Sequence, residues 1–226
     1  MPPDQKCVDA MGQDMARTYH FCENEWVRAR LGWHQWELHY RCSSEQIDFL
    51  NRSGGNFFSL ARLFFFEVTI QCLCRLTDPE KDRAGNQNIC LDRLLRLAED
   101  PLDQQLHGPI KTAKAATAFA RTWRNKRIAH NDLSLQFGEG VLAGVPPEQM
   151  HTAFSSIHDV LALVHRHYLN SSLSGYWPSS PSDATATLQL LWRGHTQAED
   201  DSNIPWEDWE KKLEFPPWLG QIQGTD

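Results

Sequence analysis

The chain has 226 residues, enough for one domain with a sizeable core or one domain with a tail, so no disulfide staple is needed for it to fold. Hydrophobic residues make up 41% and charged residues 23%, which excludes wholesale disorder and fibrous repeats. The net charge of -7 excludes a generic polyanion binder, so any nucleic-acid site has to be local.

Helical periodicity dominates to about residue 169 and alternating strand patterns are nearly absent, which predicts an all-α fold. The first predicted helix spans about Gln13 to Arg52, with Val27, Leu31, His34 and Leu38 as one buried stripe, and ends at Ser53-Gly54-Gly55-Asn56. The second, about Asn56 to Leu76, is apolar around most of its circumference, from Phe57 and Phe58 to Val68 and Ile70, as expected at the centre of a bundle. Thr77-Asp78-Pro79 stops it. A short helix follows, Cys90 to Ala98, and then a long one, about Asp103 to Ile128, whose many alanines from Ala113 to Ala120 allow close approach of another helix. The last bundle helix, Pro146 to Asn170, starts on proline and carries Phe154, Ile157, Leu161, Val164 and Tyr168 as its stripe. Residues 1–170 thus form a four- to five-helix up-down bundle. Residues 171–226 are expected to form an irregular, Trp- and Pro-rich tail packed on it, with one short helical candidate at Ala184 to Arg193.

That tail is acidic: seven acids between Glu199 and Glu214 face only Lys211 and Lys212, while Trp206, Trp209 and Trp218 supply apolar anchors. The apolar run Leu60 to Leu76 is interrupted by Arg62, Glu67 and Arg75, which argues against a membrane span. The first thirty residues lack a secretory pattern, and a cytoplasmic address is expected. The six cysteines show no metal-ligand spacing and read as reduced core thiols. His151, His158 and His165 share a helix face but are about 10 Å apart by the helical rise, too far for one metal. With no Walker loop, dinucleotide fingerprint, zinc-protease helix or nucleophile elbow, no cofactor or metal is expected.

One segment carries chemistry. From Lys111 to Arg127 there are six bases and no acid, a local +6 inside an acidic chain. Cations near a helix C-terminus complement the macrodipole, which accounts for Arg124 to Arg127 but not for the whole run. Phosphate binding is the functional alternative. The run ends Arg124-Asn125-Lys126-Arg127-Ile128-Ala129-His130-Asn131-Asp132, placing His130 at a helix exit. On an ideal helix Arg124 and His130 sit at about +40 and -80 degrees from Ala120, both bordering the buried seam. A guanidinium and an imidazole at a partly dry seam are what RNA cleavage without metal requires: the ring moves a proton and the cation holds the phosphate. An Arg and a His at such spacing arise about twice by chance in this composition. The second pair, Arg28 with His34, has its histidine on the predicted buried stripe.

Arg124-Asn125 with His130 resembles the R-x(4 to 6)-H motif of the HEPN superfamily, and the run RNKRIAHND is similar to its abortive-infection, AbiU-type branch. Upstream, Arg75-Leu76-Thr77-Asp78 and Leu91-Asp92-Arg93-Leu94-Leu95 resemble further patterns of that branch, with Cys90 where a serine is usual. The likeness spans about residues 55 to 132. It implies a helical homodimer in which two motif copies form one cleft, and a metal-independent endoribonuclease in phage defence or acting as a toxin. Arg124 is then the phosphate ligand, His130 the general acid and base, and Asn125 a positioning donor. Arg121, Lys126 and Arg127 would recruit RNA, and Asp132 would orient His130 or end the helix. The alternative is a noncatalytic HEPN module that binds RNA or a protein partner, such as an antitoxin or a nucleotidyltransferase.

Overall fold

The computed structural model describes residues 3–41, 43–128, 142, 144–175 and 184–200, the last five as backbone only. Among the described residues there are eight α-helices, one π turn and no strand, only an isolated bridge between Lys81 and Gln87 in a loop. The chain divides into two compact units, Met1–Ser179 and Ser180–Asp226. In the first, a short α1 (Gln5–Met11) leads into α2 (Gln13–Tyr40), which ends twelve residues before the predicted boundary at Arg52. The reason is a local start signal that the continuous periodicity hides. Ser43 N-caps the next helix, its hydroxyl oxygen accepting from the Gln46 N–H at 3.4 Å.

Helix α3 (Ser44–Thr77) then runs straight through the predicted stop at Ser53 to Asn56. Gly54, with φ 148° and ψ 57°, kinks it without ending it, a conformation that side chains resist and glycine accepts. The contacts Tyr40 to Phe58, Ala29 to Thr69 and Glu25 to Arg75 show α2 and α3 antiparallel. They approach closely at Gly32, where a Cβ would lie 2.8 Å from the Thr69 hydroxyl.

The buried face of α2 is Met15, Tyr19, Cys22, Trp26, Ala29 and Trp33, alternating steps of four and three. The predicted Val27/Leu31 stripe is instead solvent-facing, with those side chains 37% and 38% exposed. Aliphatic content misdirects the reading here because the true seam is built from small and aromatic residues. A second correction concerns α3. Its C-terminal half is core, with Ile70, Leu73 and Leu76 buried, but Phe57 is 69% and Phe64 57% exposed. The middle of α3 therefore carries one face at the edge of the bundle, and Phe64, Phe65 and Val68 wall an open groove of about 940 Å³ with Val27, Leu31 and Ile89. Among the described residues α3 is the one helix long and apolar enough to cross a membrane by length and composition, and 33% of its most apolar window is buried.

Helix α4 (Leu91–Leu97) begins after buried Cys90, as expected within a residue. The predicted helix from Asp103 to Ile128 is three pieces: α5 (Leu102–Ala116), α6 (Ala118–Trp123) and a π turn at Arg124–Ile128. The break falls at Thr117, whose buried hydroxyl donates to the Thr77 hydroxyl oxygen at 3.0 Å. Ala113 and Ala120 are fully buried in the same bundle, whereas Ala115 and Ala118 of the same flank are exposed. Helix α7 (Pro147–Leu169) matches its predicted bounds within a residue and buries Phe154, Ile157, Leu161 and Val164 against α2 and α5. Its antiparallel seam with α2 is pinned where Trp26 Nε1 donates to the Phe154 carbonyl at 3.0 Å and where Tyr19 Oη lies 2.9 Å from His165 Nδ1. The three spaced histidines of α7 have separate neighbours: Glu37 beside His151, Trp26 beside His158, Tyr19 beside His165. In the second unit α8 spans Ala184–Asp200, longer than the predicted Ala184 to Arg193, and the tail after it lies outside the described residues.

The five described cysteines are free, and Cys42 lies outside the described residues. Burial pushes the Cys72 thiol up to about 12, with Glu25 adding to the effect, and the Cys74 thiol up to about 11. Both folded values lie above the ordinary value of 9.0, so the stability linked to these protons is present below that pH and is lost as pH rises toward 11 to 12. Chemical denaturation followed from pH 8 to 11 should show that loss, and iodoacetamide should label Cys72 and Cys74 slowly in the folded protein at pH 8.

Glu25 is the most buried acid at the α2–α3 seam, its side chain 4% exposed, and it takes Arg75 at 2.6 Å and Arg28 at 2.6 Å. Arg75→Ala should cost about 1 to 3 kcal/mol in urea denaturation, because it leaves the buried carboxylate with Arg28 alone. Arg28→Ala should cost less, because Arg28 is 60% exposed.

Candidate functional site

The basic run converges on the end of α3. Asp78 is the C-cap of that helix, its N–H bonding back to the Cys74 carbonyl, and its carboxylate faces the start of the π turn. Arg124 Nη1 donates to Asp78 Oδ2 at 2.5 Å, and Arg124 Nε donates to Asn125 Oδ1 at 3.3 Å. The guanidinium is thus held on two edges, with the side chain 29% exposed. Its partial burial works against its charge, but the hydrogen bond it donates to Asp78 and the neighbouring Cys74 and Asp78 outweigh that and raise the group above the ordinary arginine value. Arg124 is a fixed cation throughout the working pH range.

Arg121 stands one turn back. Its Nη2 donates to the Thr77 carbonyl at 2.6 Å, its Nη1 to the Lys114 carbonyl at 3.2 Å, and its Nε is 3.8 Å from Asp78 Oδ1. These contacts satisfy carbonyls left over at helix ends, the role that cations near C-termini serve in general. Lys114 reaches α4, its Nζ 2.6 Å from Asp92. Asn125, Lys126 and Arg127 are exposed. The structure therefore separates the run into cations built into the bundle, Lys114, Arg121 and Arg124, and cations at the surface, Lys111, Lys126 and Arg127.

The π turn widens the backbone at this point by shifting hydrogen bonds to the fifth residue, a feature that often marks functional sites. The regular angular count that puts Arg124 and His130 on either side of the seam does not apply beyond Trp123. His130 and Asp132 lie outside the described residues. Arg28 of the second Arg/His pair is tied to Glu25.

Sequence reasoning missed the aromatic surroundings of the turn. Phe66 meets Trp123 edge-on with centroids 4.8 Å apart, and Trp36 lies 6.2 Å from Phe66. Trp123 standing directly before Arg124 was the available signal, but nothing in the spacing ties it to Trp36 eighty-seven residues upstream. Among the described residues no three His, Cys, Asp or Glu side chains are grouped to hold a metal ion.

Asp78, Arg121 and Arg124 thus meet at one junction, with Arg75 a turn earlier on α3 engaged by Glu25. The family model for AbiU2, a HEPN family, matches residues 13–186. The chain belongs to this family. The match covers more than the motif-bearing segment, taking in α2 through α7 and the start of α8, so the resemblance extends beyond Ser171, where the sequence patterns could no longer be aligned. No curated protein and no solved structure matches the chain. This HEPN protein is thus a helical module of an abortive-infection family, and its Arg124-Asn125 pair lies where the α3 cap and the basic turn meet.

Asp78→Ala should release Arg124 and Arg121 together and lower unfolding free energy by about 1 to 3 kcal/mol in urea. Lys126→Ala, at an exposed position, should change stability by less than about 0.5 kcal/mol in the same measurement.

Proposed function

We propose that this HEPN protein is a metal-independent endoribonuclease, acting in phage defence or as a toxin, and working in the cytoplasm as a homodimer. The observation that carries the reading is the half-buried Arg124, clamped by Asp78 and Asn125 at the head of an exposed basic turn. Such a cation is preorganised: its position needs no rearrangement when charge develops on a phosphate. Lys126 and Arg127 supply surface charge for recruiting RNA, and Arg121 adds its charge from behind, its donors being engaged with carbonyls.

In the proposed reaction a ribose 2′-hydroxyl attacks the adjacent phosphorus and the 5′-oxygen of the next nucleotide leaves. The products are a 2′,3′-cyclic phosphate and a 5′-hydroxyl. His130 takes the proton from the attacking hydroxyl or returns one to the leaving oxygen, and Arg124 balances the charge on the phosphoryl oxygens. Asn125 fixes the Arg124 guanidinium, and Asp132 orients His130. Two copies of the motif across a two-fold axis would supply both proton-transfer roles at one cleft.

A second reading, a noncatalytic module binding RNA or a protein partner, is favoured by one observation. The Arg124 charge is already matched by Asp78. The two are separated by incubating the protein with RNA in EDTA. The enzyme should release 2′,3′-cyclic ends, and His130→Ala should lower the rate by about 10²- to 10⁴-fold with the melting temperature unchanged. Arg124→Ala should lower it by about 10²- to 10³-fold. No turnover, together with a stable hetero-complex in a pull-down, would establish the noncatalytic module instead.

A further inference from the structure

We propose that the aromatic cleft beside the Arg124 turn seats an unpaired base of single-stranded RNA. This rests on the RNA reading above and adds to it a site that grips the strand by stacking as well as by charge.

The cleft has a volume of about 510 Å³, in the range of nucleotide-sized ligand sites. Trp36, Phe66 and Trp123 line it together with Leu63 and Val145, and Arg62 and Arg127 also line it. The aromatic wall is stiff. Trp36 is stacked 4.8 Å from Trp33, which is 1% exposed and so anchored in the core, while Phe66 is locked edge-on against Trp123. Trp36, Phe66 and Trp123 are themselves only half-buried, and Arg62 and Arg127 are exposed. Preorganised rings left accessible in this way lose little conformational freedom when a planar group packs against one of their faces.

The chemistry of the lining selects the occupant. No acidic side chain is among the described residues that line the cleft, and two guanidiniums are. Aromatic faces with arginine planes suit an unstacked nucleobase and its phosphate, because every base offers a π face and the phosphate answers the cations. The position agrees. Trp123 directly precedes Arg124 and Arg127 follows three residues later, so a base held on Trp123 carries its phosphodiester toward the same turn that holds Arg124. A cationic peptide would meet Arg62 and Arg127 with like charge.

The test uses the full chain in EDTA and fluorescence anisotropy with two 2′-O-methyl decamers that cannot be cut, one of uridines and one abasic at every position. The wild type should bind the uridine decamer at least about tenfold more tightly than the abasic one. Trp123→Leu should abolish most of that preference, and Trp36→Leu provides the same readout should Trp123→Leu fail to fold. Arg62→Ala, an exposed charge, should weaken both probes and reduce the salt slope of binding by about one. Arg124→Ala should weaken both probes equally and keep the preference. Equal binding of both decamers by the wild type, with Arg124→Ala still weakening them, would remove the cleft and leave the RNA reading. No binding of either decamer overturns both. A change of oligomeric state in the tryptophan variants with the base preference intact would assign the cleft to a protein contact and overturn the proposal.

Discussion

The carboxylate of Asp78 is the junction on which fold and site both depend. The Asp78 backbone N–H caps the longest helix of the bundle while its carboxylate accepts the guanidinium that begins the π turn, so one residue ties the end of α3 to the exit of α6. Around it, the Thr77 carbonyl accepts from Arg121 and the Thr77 hydroxyl oxygen accepts from Thr117, which breaks the long C-terminal helix into α5 and α6. Polar groups at two helix ends that would be expensive to bury alone are thereby satisfied by each other. The position of Arg124 follows from how α3 terminates.

The same junction concentrates positive charge in an acidic protein. Arg121 and Arg124 sit beside Cys74, whose thiol stays high because burial outweighs the pull of those cations. With Asp78 answering two arginines and Asp92 answering Lys114, the inner part of the basic run is partly neutralised, while Lys126 and Arg127, like Lys111 at its other end, face solvent. A polyanion would therefore meet a small basic patch backed by a rigid ion-pair network, in a molecule whose net charge of -7 discourages contact elsewhere. The aromatic lining of the neighbouring cleft gives that patch an apolar side.

Much of the helical plan was legible because it depends on local signals. The proline start and apolar stripe of α7, the Thr77-Asp78-Pro79 stop and the short α4 are all set within a few residues. The misreadings share one cause. The chain is helical on both sides of Ser43 and of Gly54, so periodicity could not tell a cap from a kink: Ser43 starts a new helix, whereas Gly54 only bends one. Likewise α2 carries two apolar faces, and only packing against α3 and α7 decided that Trp26 and Trp33 turn inward while Val27 and Leu31 do not.

By itself the sequence determined an all-α chain, the family to which its Arg-Asn and following His belong, and the presence of a basic run at a helix exit, since each is written in residues close together along the chain. Tertiary structure alone decided which of those cations are structural and which are free to face a ligand, that Asp78 pairs with Arg124 while Arg75 pairs with Glu25, and that Trp36 meets Phe66 beside Trp123. Those partners lie 46, 50 and 30 residues apart along the chain, and contacts at such separations are chosen by the packing of whole helices, which no local pattern encodes.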